Sequence, residues 1–187
     1  MTTNIEHTPD QIKVVINKLV DYCQARDWAG YDPYDALNSK ILKHFPLLNA
    51  RIPRLAFTQL MKRIPINLRP LFRVPITQNP KAIALFLKSF IKLKGIGQLG
   101  DRQIIKTMVE ILEALRAEGN PYYCWGYSFA WQTNELLVPR GTPNIVCTVF
   151  VANALLDAYE DSRDPKCLLM AKSAAKYIAN DLYWTNG

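Results

Sequence analysis

Residues 142–160, TPNIVCTVFVANALLDAYE, decide how the rest of the chain is read. Ile145, Val146, Cys147, Val149, Phe150, Val151, Ala152, Ala154, Leu155 and Leu156 leave almost no polar face between Pro143 and Tyr159. A helix apolar on nearly all sides is expected to be enclosed by neighbours. The sequence therefore predicts an inner helix, with amphipathic helices packed around it.

The helix that follows, from Pro165 to about Leu182, is one-sided, with Leu168, Ala171, Ala175 and Ile178 inward and Lys172 and Lys176 outward. Upstream, Asp101 to Glu118 carries Ile104, Met108, Ile111, Leu112 and Leu115 at helical spacing, and Gly119 and Pro121 stop it. Asn79 opens a further helix to Lys94, in which Lys81, Lys88 and Lys92 share one face while Ile83, Leu87, Phe90 and Ile91 occupy another. Pro9 to about Trp28, a shorter helix from Asp32 to about Phe45, and Pro53 to Arg63 complete the set. Asp32 reads there as an N-cap, and Asp35 as an acidic residue favoured at a helix N-terminus.

Five of these starts share one device: Thr8-Pro9, Asp32-Pro33, Asn79-Pro80, Thr142-Pro143 and Asp164-Pro165. Each is a polar N-cap followed by proline at the first helical position, where its missing N–H is no loss. Pro65, Pro70 and Pro75 make residues 64–78 a connector rather than a helix. The alternation of exposed and buried helices predicts an all-α chain of antiparallel helical hairpins, residues 1–187 forming a single domain. No fixed period supports a solenoid.

Composition bounds the function. The chain has 187 residues, 49% hydrophobic and 21% charged, an ordinary globular composition. No apolar run approaches about 18 residues, so no transmembrane segment is expected, and the N-terminus lacks the basic start and apolar core of a signal peptide. Cys23, Cys124, Cys147 and Cys167 are widely spaced and join no paired pattern, which points to reduced structural thiols and a cytoplasmic setting. His7 and His44 are the only histidines, so neither a metal site nor a histidine-based triad is expected, and no cofactor is called for.

The net charge of +7 is unevenly placed: no Asp or Glu lies between Asp35 and Asp101, while twelve Lys and Arg do. Such a block is a solvated face or a surface for an acidic partner. Nucleic acid is disfavoured because the block lacks interleaved aromatics and any recognisable binding signature. Peripheral contact with an anionic membrane, by Lys88, Lys92 and Lys94 beside Phe86 and Phe90, stays open.

Between the helices lies NPYYCWGYSFAWQTNELLVPRGTPN, residues 120–144, crowded with Tyr122, Tyr123, Trp125, Tyr127 and Trp131. It is too long for a tight turn and too irregular for a strand, and long ordered loops are usually functional. Rings with a polar handle stack on sugar C–H faces while amides and charges take hydroxyls; equally, buried Tyr and Trp cap cores. Asp32, Asp35, Glu135 and Asp157 are the acids near loops or inner helices, yet no two form an evident pair. Glycoside hydrolysis needs two carboxyl groups about 5–5.5 Å or about 6.5–9.5 Å apart, so catalytic residues stay unassigned. Arg140 in PRGTPN suits a carboxylate or phosphate, or a tie to a helix carboxylate, and Thr142 is a cap first.

CWGYSFAWQ, PRGTPNIVCTVFVANALLDAYE and GYDPYDALNSKIL resemble six-hairpin (α/α-toroid) proteins, the poorly characterised bacterial members associated with polysaccharide biosynthesis and carbohydrate metabolism. None of these motifs is a catalytic signature. The resemblance implies an aromatic-lined glycan-binding cleft, with Trp125, Tyr127, Trp131 and Gln132 on the loop at the cleft and Asn144 at the head of an inner helix; Arg140 joins them as a candidate. It implies a carbohydrate or anionic glycan as ligand. Six hairpins need more than this chain's roughly seven helices. The toroid is then incomplete, and this chain is the N-terminal half of a longer one or closes with a partner such as a second copy. The alternative is a non-catalytic helical interaction module.

Overall fold

Several helix starts carry their own side-chain caps, although α2 (Arg51–Arg63), preceded by Ala50, does not. In a computed structural model, which describes residues 9–42, 45, 50–99, 101 and 103–182, the Asn79 side chain accepts the N–H of Lys81 and opens α3 (Pro80–Gly95). Asp164 does the same for Lys166 at the head of α6 (Pro165–Tyr177). Asp101 accepts the N–H of Gln103 at the start of α4 (Gln103–Ala114). Each cap satisfies a donor that the first helical turn leaves orphaned. The Thr8 cap, His7 and His44 lie outside the described residues.

Two expected caps are displaced. α5 (Ile145–Ser162) is capped by Asn144, whose side chain accepts from Cys147 N, and not by Thr142, whose hydroxyl donates to the carbonyl of Pro139. The Asp32–Pro33 pair opens no helix. Asp32 bonds the N–H of Tyr34 in a local turn, and only a single 3₁₀ turn, Asp35–Asn38, follows. Its polar side chains are spent on distant partners. Asp35 accepts Arg69 Nε at 2.7 Å, Asn38 reaches Ser128 and Ala130, and Ser39 Oγ donates to the carbonyl of Phe72. Short polar residues that bond elsewhere do not propagate a helix. Asp35, read as a helix-terminal charge, is a buried ion-pair residue instead.

α1 (Pro9–Gln24) stops short of Trp28 because Asp27 and Trp28 take left-handed backbone, φ 50° and 57°. Trp28 then turns its ring into the core, edge-on to Phe86 and Phe90 at 5.2 and 5.6 Å. α2 (Arg51–Arg63) follows, and the proline-spaced stretch after it is non-helical, as read from sequence.

The core is built by two hairpins, α3–α4 and α5–α6; α5 packs on α3, α4 and α6. Ile83, Leu87, Met108, Leu112, Val151, Leu155 and Met170 are wholly buried there. Each such side chain contributes about 1.5–3 kcal/mol by leaving water. The fold is all-α, with six helices among the described residues. No helix of these residues is long and apolar enough to cross a membrane.

Two further expectations change. α5 is not enclosed: Ile145, Val149 and Leu156, on one stripe, face solvent. The basic face of α3 is not unopposed either. Lys88 pairs with Asp157 and Lys94 with Asp161, both at 2.7 Å, so α5 supplies the missing acids. Phe90 is buried and Phe86 packs on Trp28, leaving little of the membrane-facing patch.

Candidate functional site

Tyr127, Phe129 and Trp131, at alternate positions, line one cavity, and Ser128 and Ala130 between them keep to a second side of the chain. The second side is clamped. Asn38 donates its amide to the Ser128 carbonyl at 2.9 Å and accepts the Ala130 N–H at 3.1 Å, acting as a short stretch of partner strand. The Ser128 hydroxyl also takes a hydrogen bond from Thr77. Beyond Trp131 the chain forms the antiparallel pair β1 (Trp131–Gln132) and β2 (Leu137–Val138), closed by Thr133 bonding the N–H groups of Glu135 and Leu136. The loop thus contains a hairpin that its sequence did not suggest.

The other end of the segment is fixed by backbone contact. Gly126 bridges Pro143, and a Cβ on Gly126 would lie 2.1 Å from the Thr142 carbonyl oxygen, so only glycine fits. Gly141, at φ 82°, donates to the Tyr127 carbonyl, and Asn144 N donates to that of Trp125. The loop's exit is therefore sewn to its entry, and this brings the head of α5 against the aromatic segment.

A cavity of about 580 Å³ opens between them. Its walls are Tyr127, Phe129 and Trp131 from the segment, Asp32 to Tyr34 from the first turn, Asn79 and Lys81 from the head of α3, and Asn144 to Val146 from the head of α5. Tyr127 and Phe129 stack at 5.0 Å and 16°, and Tyr34 continues the row at 6.3 Å from Phe129. Lys62 donates to the Tyr34 hydroxyl and sits 4.3 Å from its ring centroid. Burial raises the Tyr127 phenol above its ordinary pKa, so it stays neutral and keeps its proton for donation.

Asn144 supplies the polar counterpart. Its Oδ1 is taken by the cap, while its Nδ2 is buried, with the Cys147 thiol as a weak partner and no nitrogen or oxygen acceptor among the described residues. A buried donor left unmade costs about 1–3 kcal/mol, and such exceptions in native folds call for an explanation. Asp32, also in the wall, accepts from Asn79 Nδ2 and from the Tyr34 N–H.

No family model, curated protein or solved structure matches this chain. The cavity is read on its own chemistry.

Tyr127, Trp131 and Asn144, expected at a cleft, are brought together here. Trp125 is not. It is wholly buried, its indole N–H donates to the Leu112 carbonyl at 2.7 Å, and it serves the core. Gln132 accepts from Arg54 at 3.1 Å and ties the hairpin to α2. Arg140 opens on a different cavity. Of the candidate acids, Asp35 is held by Arg69, Asp157 by Lys88, and Glu135 is exposed at the hairpin tip. Asp32 is the one carboxylate among the described residues lining the aromatic cavity. Among the described residues no second carboxyl group, which glycoside hydrolysis requires, lines it.

Phe129, Tyr34, Lys81 and Asn38 were not picked out by the sequence reading. The period of two across Tyr127, Phe129 and Trp131 was the available signal for the first of them.

Proposed function

We propose that the protein binds carbohydrate in the aromatic cavity and serves polysaccharide metabolism or biosynthesis, the two hairpins being part of an α/α toroid. The row of three aromatic residues of one segment, lining a cavity together with Asn144, whose buried Nδ2 has only a thiol beside it, carries this reading. A saccharide offers what these groups lack: hydroxyl acceptors for a buried amide, and C–H faces for the rings. With one carboxylate lining the cavity, binding is favoured over hydrolysis.

A glycan array read alongside thermal shift tests this. Glycan binding that is lost in Trp131→Ala and Tyr127→Ala supports the site; binding unaffected by both changes overturns it.

The second reading, a helical interaction module, is favoured by apolar residues left in solvent. Ile145, Val149 and Leu156 do so on α5, and Ile12, Val15 and Leu19 on α1. A patch of this kind marks an association surface. Sedimentation would show a concentration-dependent dimer that Val149→Lys or Leu156→Lys abolishes; a monomer at all concentrations excludes a second copy as the occupant. The membrane version of this reading is weakened, because Lys88 and Lys94 are already in ion pairs with α5.

A further inference from the structure

Tyr127 is shared. One wall of its ring belongs to the aromatic cavity, and it also lines a second, more polar cavity of about 640 Å³ together with Arg116, Arg140, Glu118, Gln78 and Thr142. We propose that this second cavity is a subsite for an acidic saccharide unit, holding the carboxylate or phosphate of the residue next to the one stacked in the aromatic cavity. The proposal rests on the carbohydrate reading of the first cavity and adds the chemical class of the ligand.

Three observations carry it. The cavities are neighbours: Tyr127 lines both, and consecutive residues at the head of α3 line one each, Asn79 the first and Pro80 the second. Arg116, just after α4, and Arg140, on the loop's exit, both line the second cavity, against the single carboxylate of Glu118 among the described residues. Neither arginine has an ion-pair partner among the described residues, in contrast to Arg69, Lys88 and Lys94. Arg116 lies 5.0 Å from the ring centroid of Tyr123, a residue outside this cavity's lining. A guanidinium fork matches the two oxygens of a carboxylate or phosphate, and two forks converging on one space suit an anion better than a hydroxyl.

Part of the backbone around this space is already committed. Gly141 N bonds Tyr127 O, Thr142 N bonds Pro139 O, and Ala117 N bonds Cys124 O. The two arginines supply the charge.

The test is a glycan array carrying neutral, uronic-acid and phosphorylated oligosaccharides, followed by titration of the best binders in wild type, Arg116→Ala, Arg140→Ala and the double variant. Both arginines are exposed, so folding is not at risk, and circular dichroism checks it. The expected result is a preference for acidic ligands that falls about 10-fold or more in the double variant, the loss of one charge-assisted contact or more. Neutral ligands should change less than about 2-fold. Inorganic phosphate, titrated alone, should bind far more weakly than a phosphorylated saccharide; equal affinity would reduce the subsite to a simple oxyanion site and overturn the saccharide assignment. Neutral glycans bound through Trp131 with no acidic preference, or an acidic preference unchanged in the double variant, overturn the subsite and leave the first cavity standing. Binding of no glycan at all removes both.

Discussion

Asn144 accepts the backbone N–H of Cys147 on its Oδ1 at 2.9 Å, and this contact fixes which way its amide faces. The cap spends the oxygen and leaves Nδ2 buried, in a residue that lines the cavity. The two duties can be separated. Asn144→Ser keeps a cap of similar quality and is too short to present a donor, so stability should move by only a few tenths of a kcal/mol while carbohydrate affinity falls. Asn144→Ala loses both and should cost about 1 kcal/mol of stability. Denaturant midpoints and ligand titration on the same preparations check this; affinity retained in the serine variant would detach Asn144 from binding.

Trp125 and Trp131 lie close in sequence and do different work. Trp125→Ala removes a wholly buried ring and its hydrogen bond to Leu112, at a cost of about 3–5 kcal/mol. Trp131→Ala, on a half-buried ring lining the cavity, should leave the melting temperature nearly unchanged and abolish saccharide binding. A reversal of the two phenotypes would contradict the geometry.

Gly126→Ala places a methyl group inside the van der Waals radius of the Thr142 carbonyl. Backbone must move to admit it, so the expected loss is about 3 kcal/mol or more, with the loop's exit detached from Trp125 and Tyr127. Hydrogen exchange at Gly141 and Asn144, whose N–H groups bond those two carbonyls, should accelerate in any folded fraction. Unchanged protection would mean that the close approach is relieved without cost.

Asp35 is almost fully buried, and burial raises its carboxyl above the usual range, against the hydrogen bond and charge of Arg69 that pull it down. Arg69→Ala removes that opposition and should cost about 3 kcal/mol at neutral pH. The folded pKa then rises further while the unfolded one stays at about 3.9. The folded state therefore takes up its proton at higher pH than the unfolded chain, and the penalty shrinks as pH falls through the raised value. Urea midpoints at neutral and mildly acidic pH should converge on wild type toward acid; divergence would show that Asp35 is not the group responsible.

The buried thiols should be chemically silent. Burial pushes Cys124, Cys147 and Cys167 up to about 11, which leaves almost no thiolate at neutral pH. Cys23, half-buried and raised less by burial in the presence of Arg26, should be alkylated first, the other three only on unfolding. Mass spectrometry after timed iodoacetamide treatment reads the order directly.

Helical class and most helix starts were legible because proline after a polar residue is local punctuation. Asn79-Pro80 and Asp164-Pro165 cap where they stand. The failures share a cause. Asp35, Asn38 and Ser39 look like ordinary first-turn residues until Arg69, Ser128 and Phe72 claim them, and those partners are 33 or more residues away in the chain. The apolar sequence of α5 suggested enclosure, whereas one stripe of it faces solvent. Tyr127, Trp131 and Asn144 were found from ring and amide chemistry, yet which ring serves the core depends on the close approach of Gly126 to Thr142, and no sequence period reports such a contact.

The sewing of the loop's exit to its entry bears on the order in which the molecule assembles. Hairpins α3–α4 and α5–α6 close over short connections and need only local search. The aromatic cavity needs Asp32, Lys81, Tyr127 and Asn144 at once, a closure spanning about 110 residues, whose entropy is recovered only when the hairpins are in place. Ligand-binding competence should therefore be the last property gained on refolding, lagging behind helical signal, and the first lost when the chain begins to open.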